Sequence, residues 1–339
     1  MSEILRALTQ KIISSEYPSF ADMRAGFDAI MDGEASPALL ASFLVGLKMR
    51  GETPDDIAAG ASVLREKASL VETPDNRTMD IVGTGGDGIG TYNISTAAAF
   101  VMAGAGIPMA KHGNKAVSSK SGAADVLGSL GITLDCEYSL LADALKEAGI
   151  VFLMAPRHHA AMRHVGPIRA ELGMRTIFNL LGPLSNPALV TRILVGVFDK
   201  GWCRPFAEAL HQLGTTDAWV VHGADGLDEL STTGENHIAV LKDGQVSEMS
   251  LHPEEIGLKT ARLDDIRGGR PEENADALRR LLAGDTGPYR DIVILNAAGG
   301  LVAGGFETDL KTAAERAAGA IDSGKALSCL NKLVEVTGR

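Results

Sequence analysis

The chain has little of what several protein classes require. Its three cysteines, Cys136, Cys203 and Cys329, stand far apart among 339 residues. They offer neither a disulfide framework nor a zinc spacing, and they read as core residues in a reducing compartment. No run approaches the ~18 consecutive apolar residues of a membrane-spanning helix. The opening residues Met-Ser-Glu-Ile-Leu-Arg lack the basic start and apolar stretch of a secretory leader, so a cytoplasmic protein is expected. Positive charge is in deficit, with 32 Lys and Arg against 43 Asp and Glu and a net charge of −11. That balance argues against nucleic acid or an anionic membrane as the partner. Internal repeats and low-complexity stretches are also missing.

Glycine is abundant, and its placement is informative. Residues 80–96 read Asp-Ile-Val-Gly-Thr-Gly-Gly-Asp-Gly-Ile-Gly-Thr-Tyr-Asn-Ile-Ser-Thr, with glycines at 83, 85, 86, 88 and 90. So much glycine costs backbone entropy and implies a need for bare backbone. An apolar run at 79–82 reads as the end of a buried strand, and 94–103 reads as a helix. Asn93, Ser95 and Thr96 are expected to cap that helix. A strand, a glycine loop and a helix N-terminus together present unpaired N–H groups to a phosphate. No Gly-Lys-Ser/Thr follows, which excludes a Walker A loop. Gly83, Gly85 and Gly88 satisfy G-x-G-x-x-G, but the acid needed about 20 positions on is replaced by Lys111-His112-Gly113-Asn114-Lys115. A nicotinamide site is therefore disfavoured.

The segment 111–125 carries Lys111, Lys115 and Lys120, His112 and three serines before its first acid. Delivered by a preceding strand to the same sheet edge, it would form a second wall of one polyanion pocket. Asp228 and Glu229 follow another strand. Adjacent carboxylates are usually a solvated surface pair, yet a polyphosphate pocket commonly takes Mg²⁺ through one or two carboxylates, and that role is favoured here. His158, His159 and His164 match no metal spacing. Arg163, Arg169 and Arg175 lie among apolar residues, each either a structural fork or a receptor for a carboxylate.

Periodicity divides the chain. Residues 1–72 read as helices, with start signals at Ser36-Pro37 and Thr53-Pro54-Asp55-Asp56 and an apolar face through Ile4, Leu5, Leu8, Ile12 and Ile13. The apolar faces of this bundle would cover either a second subunit or the rest of the chain. Residues 73–339 alternate strand and helix, with strands expected at 79–82, 107–110, 150–153, 192–197, 218–222, 238–241 and 291–295. Helices are expected at 123–130, 139–148, 202–213 and 274–282, and two more close the chain over 308–336. The fold class is α/β, a small all-helical N-terminal domain followed by a large domain with a mainly parallel sheet. Residues 165–182 show helical periodicity and are expected to join the helical part.

Taken together, segments 80–96, 111–125, 163–187 and the Asp228-Glu229 loop resemble the anthranilate phosphoribosyltransferases over essentially the whole chain. The resemblance implies transfer of a phosphoribosyl group from phosphoribosyl pyrophosphate (PRPP) to anthranilate in tryptophan biosynthesis, on a fold shared with pyrimidine nucleoside phosphorylases. It also implies a homodimer formed through the helical domains. By the same resemblance Gly83, Gly86, Asp87 and Thr91 line the PRPP site. Asn93, Ile94, Ser95 and Thr96 grip the pyrophosphate, and Ser95 shares Mg²⁺ with Asp228 and Glu229. Lys111, His112, Gly113, Asn114, Lys115, Ala116, Val117, Ser118 and Ser119 wrap the phosphates and ribose. Ala123 stands where the family often has serine. Asn114 and Arg169 hold anthranilate. No general base is implied, because an aromatic amine is neutral at pH 7, and the stabilising charges are Mg²⁺ and Lys111. Two rivals remain: a nucleoside phosphorylase, which Arg169 and its segment disfavour, and a non-catalytic nucleic-acid-binding relative, which the acidic charge disfavours.

Overall fold

The computed structural model describes residues 3–73, 76–115 and 121–339. The expectations for Ala116, Val117, Ser118 and Ser119 lie outside the described residues. Four helices open the chain: α1 (Glu3–Ile13), α2 (Phe20–Met31), α3 (Pro37–Arg50) and α4 (Pro54–Glu66). The start signals act as local chemistry dictates. Ser36 Oγ accepts from Leu39 N, while Thr53 and Asp56 cap each other reciprocally at the head of α4. Leu5, Leu8 and Ile12 are buried, whereas Ile4 and Ile13, expected on the same face, are exposed.

Seven strands follow: β1 (Met79–Gly83), β2 (Met109–Gly113), β3 (Ile150–Met154), β4 (Arg192–Gly196), β5 (Asp217–His222), β6 (Asn236–Lys242) and β7 (Gln245–Leu251). They form one sheet in the order β3-β2-β1-β4-β5-β6-β7. Neighbours pair in parallel from β3 to β5, and β6 and β7 add an antiparallel edge. The chain runs outward from β1 through β2 to β3 and then restarts at β4 on the other side of β1. The carboxyl ends of β1 and β4 therefore flank a switch point, where α/β sheets open a crevice for ligands.

Between and after the strands come α5 (Ile94–Gly104), α6 (Ala123–Ser129), α7 (Tyr138–Ala148), α8 (Ala155–His158), α9 (Gly166–Leu172), α10 (Phe178–Leu181) and α11 (Cys203–Gln212). The chain closes with α12 (Pro271–Leu282), α13 (Pro288–Ala303), α14 (Leu310–Asp322) and α15 (Lys325–Thr337). Strand alternation feeds two cores. Ile81, Leu194, Trp219 and Val221 face one that contains α5, α13, α14 and α15. Val82, Ile193, Val195 and Val220 face the other, which they share with the N-terminal helices and α11. Val165, Ile177, Phe178 and Leu181 sit in this second core, and the Phe178 ring meets Phe27 edge-on at 6.0 Å.

Two expected strands are corrected, and one strand is additional. Residues 291–295 are not a strand but the interior of α13, which Pro288 opens and which is buried nearly all round. A short apolar run has no period that separates a buried strand from a buried helix. The strand expected at 107–110 lies at Met109–Gly113 instead, carrying Lys111 and His112 into the sheet. Strand β7 went unforeseen because its Gln, Ser and Glu residues face solvent at the sheet edge.

Candidate active site

A cavity of about 710 Å³ opens at the carboxyl ends of β1 and β2. It runs from the glycine loop on the sheet side to α9 and α10 on the helical side. Gly83, Gly86, Asp87, Thr91, Asn93, Ile94, Ser95, Thr96, Lys111, His112, Gly113, Asn114, Lys115, Ala123, Arg169, Asp228 and Glu229 all line it. Thus the described residues that the resemblance assigns to the site reach one space from separate segments of the chain, whereas His158, His164 and Arg175, also singled out from sequence, are not among its lining residues.

The glycine loop uses its freedom. Gly85, Gly86, Gly88 and Gly90 hold φ between +72° and +78°, a region side chains rarely adopt. Gly83 and Gly196 are needed for room, since a Cβ on Gly83 would lie 2.3 Å from Asp228 Oδ2 and one on Gly196 1.6 Å from the Asp228 carbonyl oxygen. The space they leave is filled by the acidic pair. Asp228 Oδ2 accepts from Gly85 N at 2.5 Å, and Glu229 Oε1 accepts from Ser95 N at 3.1 Å.

These contacts correct the expected helix cap. The Asn93 side chain makes no capping bond to α5, and the carboxylate of Glu229 serves the first turn instead. Asp228 and Glu229 are not a solvated surface pair either, because each is only 8% exposed. Burial, reinforced by the neighbouring Asp87 carboxylate, raises the pKa of both acids. Glu229 Oε2 is buried with no hydrogen-bond partner. An orphaned oxygen in a mutually repelling pair suits a divalent cation such as Mg²⁺.

Lys111 is also relocated. It belongs to strand β2 rather than to a loop, and it is 3% exposed. Its Nζ donates to Ile81 O at 2.6 Å and to Ser95 Oγ at 3.3 Å. Burial lowers its pKa, opposed by the charges of Asp80, Glu229 and Asp228. Its ammonium therefore lies beneath the acidic pair as a counter-charge and holds the Ser95 hydroxyl in place. Asp80, fully buried on β1, is pushed up to about 6 by desolvation, with its carboxylate held by Asn186 Nδ2 at 2.8 Å and by His112 N at 3.3 Å. His112 turns Nδ1 to Gly182 O at 3.2 Å, and burial depresses its pKa to about 3. It faces the cavity as a neutral imidazole.

The loop after β2 is tied locally. Asn114 Oδ1 accepts from Lys115 N at 2.8 Å, and Asn114 O accepts from Ala124 N at 3.1 Å.

On the opposite wall Arg169 projects from α9. Its Nη2 donates to Asn179 Oδ1 at 3.4 Å, and its guanidinium lies 5.7 Å from the centre of the Phe178 ring. No carboxylate is paired with it among the described contacts. Arg175 behaves differently, lying 4.0 Å over the Phe198 ring and donating to Gly86 O, so it ties the helical wall to the glycine loop. Among the described contacts Arg163 donates to Ala160 O, at 3.4 Å. His158 holds Ser69 O through Nδ1 at 2.8 Å. Sequence reading missed Phe178 and Asn179, which flank Arg169, and Asn186, which anchors Asp80. An arginine among apolar residues signals that such partners exist without saying which they are.

A glycine loop at a sheet switch point and a buried carboxylate pair suit a phosphorylated ligand with a divalent cation, and the lightly held arginine across the gap suits a second, anionic molecule. The glycosyl transferase family α/β-domain model matches residues 75–327, and the helical bundle domain model of the same family matches residues 4–68. Anthranilate phosphoribosyltransferases of Parvibaculum lavamentivorans and Azospirillum brasilense are 55% and 54% identical, covering 94% and 98% of this chain and 93% of each relative. The crystal structure of anthranilate phosphoribosyltransferase from Thermus thermophilus superposes with a TM-score of 0.93 at 44% identity, over 98% of this chain and 99% of that one. The Saccharomyces cerevisiae enzyme in complex with PRPP and Mg superposes at 0.91 with 30% identity, over 99% of both chains. The chain belongs to the anthranilate phosphoribosyltransferase family.

Proposed function

We propose that this chain transfers the 5-phosphoribosyl group of PRPP to the amino group of anthranilate, giving N-(5-phosphoribosyl)anthranilate and pyrophosphate. This is the second step of tryptophan biosynthesis from chorismate. One observation carries the reading above the rest: the buried Asp228–Glu229 pair, held on the N–H groups of Gly85 and Ser95, faces Arg169 across a single cavity. The PRPP and Mg bound in the yeast relative support the same choice of substrate and metal.

The chemistry follows from the residue types. Loss of pyrophosphate from C1 of the ribose builds positive charge on the sugar and negative charge on the leaving group. Asp228, Glu229 and Ser95 would hold Mg²⁺, which when bound neutralises part of the departing charge. Gly83, Gly86, Asp87 and Thr91 would line the PRPP site, with Asn93, Ile94, Ser95 and Thr96 around the diphosphate. The N-terminus of α5 adds its dipole there. Residues 111–119 would surround the phosphates and ribose, and Asn114 and Arg169 would hold anthranilate by its carboxylate. The acceptor amine is neutral at pH 7 and would need no general base. Closure of the helical unit, residues 1–72 with 165–182, over the unit of residues 73–339 would exclude water from the ribosyl cation. A homodimer through the helical domains would cover exposed apolar side chains there, such as Ile4, Ile13, Tyr17 and Met49. A cytoplasmic location fits these substrates.

The test is direct. Incubation with PRPP, Mg²⁺ and anthranilate should quench anthranilate fluorescence, and omission of any component should abolish the change. No quenching, or phosphorolysis of a pyrimidine nucleoside in its place, would refute the proposal.

A further inference from the structure

Asn93 heads α5 yet does no capping there, so its side chain is free for other work. Its amide can be oriented without ambiguity from two groups whose roles are fixed. The backbone N–H of Gly269 can only donate, and it meets the Asn274 side chain at 2.7 Å, so that atom is Oδ1. The other end of Asn274 is then Nδ2, a donor, and it meets Asn93 at 2.9 Å, which makes the Asn93 atom Oδ1. From the opposite side, the carbonyl of Ser121 can only accept, and the Asn93 atom facing it at 3.4 Å is Nδ2. Both chains of reasoning give one orientation.

Asn274 is 1% exposed and lies 181 positions from its partner. The stretch that carries it is clamped to the glycine loop. Gly268 N donates to Gly90 O at 3.0 Å, Tyr92 N donates to Ile266 O at 3.1 Å, and the Tyr92 and Tyr289 rings stack at 4.3 Å. Gly268 permits this approach, since a Cβ there would stand 2.6 Å from Thr91 O. A rigid donor thus meets Asn93 Oδ1 at 2.9 Å, shorter than the 3.4 Å bond that the same oxygen accepts from Ser121 Oγ.

We propose that Asn274 is a positioning residue for the transferase reaction: by donating to Asn93 Oδ1 it turns Asn93 Nδ2 toward the cavity as a hydrogen-bond donor for the diphosphate of PRPP. The inference rests on the assignment of PRPP as the donor substrate. Asn93 carries two N–H groups and Ser121 O uses one, so one remains for a phosphate oxygen. In the opposite orientation the same side chain would present a carbonyl oxygen to an anion.

Asn274→Asp keeps the shape and reverses the polarity, because the introduced carboxylate still accepts from Gly269 N but can no longer donate to Asn93. Isothermal titration with PRPP and Mg²⁺ should show affinity falling by at least about tenfold, with the KM for anthranilate within about twofold of wild type. In an Asn93→Ala background the same change should cost less than about twofold, since no amide remains to be turned. Asn274→Ala, which frees Asn93 without reversing it, should weaken PRPP by less than Asn274→Asp does, again with no added cost in Asn93→Ala. A PRPP affinity in Asn274→Asp equal to wild type overturns the proposal. So does an undiminished loss in the Asn93→Ala background, which would assign the effect to added charge or to a loosened loop. Failure of the unsubstituted chain to bind PRPP would refute the substrate reading, and this proposal with it.

Discussion

The two walls of the cavity are built on opposite terms. On the sheet side each charged side chain is already held by protein groups: Asp228 by Gly85 N, Glu229 by Ser95 N, and Lys111 by Ile81 O and Ser95 Oγ, with Glu229 Oε2 left over. On the helical side Arg169 has one long hydrogen bond and an aromatic face. The first wall is organised before any ligand arrives, as suits the centre where charge develops during bond breaking. The second holds a cation whose hydrogen-bonding fork is largely unspent. On the proposed reading, rigidity would serve the chemistry and spare capacity would serve recognition.

The comparison breaks most visibly at the acidic pair. Replacing Asp228 and Glu229 together by Ala should lower kcat/KM by about 10³-fold, and excess Mg²⁺ should restore little of it. The fold should persist with a lower melting temperature, because two backbone hydrogen bonds, each about 1 kcal/mol, are lost and buried Lys111 loses two of its counter-charges. Near-normal turnover would remove the metal role.

A smaller and sharper effect belongs to Gly196. Its Cβ in Gly196→Ala would stand 1.6 Å from Asp228 O, so the backbone of the acidic loop must shift. Titration of Mg²⁺ in the assay should show its apparent affinity weakened by about tenfold. Gly319→Ala, on a helix face with nothing within 4 Å of the added carbon, should leave turnover unchanged and raise stability by up to about 1 kcal/mol. Equal behaviour of the two variants would show that the Asp228 backbone need not be fixed.

The smallest effect is one of pH. His112 titrates at about 3 in the folded protein against 6.5 in the unfolded chain. As pH falls below 6.5 the unfolded state therefore takes up a proton that the folded state refuses, and stability is lost down to the folded value. Urea denaturation of wild type and His112→Gln should show wild type losing up to about 2 kcal/mol relative to the variant between pH 6.5 and pH 5. Buried Asp80 works in the opposite direction over part of this range, and it does so in both proteins. A difference that does not vary with pH would mean that His112 ionises freely in the fold.

What the sequence revealed and what it concealed divide along the same walls. The glycine loop and the acidic pair were legible because local backbone chemistry dictates them: bare Cα positions, a strand end and two adjacent carboxylates. Lys111 was placed in a loop because a buried lysine at a strand end contradicts the usual reading of charge as solvated, and only Asp80 and the acidic pair beneath the loop make it tolerable. The interior of α13 passed for a strand because burial on all sides erases the helical period. The setting of Arg169 in Phe178 and Asn179, and that of Asn93 in Asn274, were out of reach, since the fold alone brings these partners together.

The central claim is that the two walls hold two different substrates, and paired titrations of Arg169→Ala test it most directly. The guanidinium–carboxylate pair should be worth at least about 1.4 kcal/mol, so the KM for anthranilate should rise at least about tenfold. Affinity for PRPP with Mg²⁺ should stay within about twofold of wild type, and Arg169→Lys should not restore the lost binding because lysine lacks the fork. Equal weakening of both substrates, together with a lower melting temperature, would contradict the account and reduce Arg169 to a strut between the helical segment and the sheet.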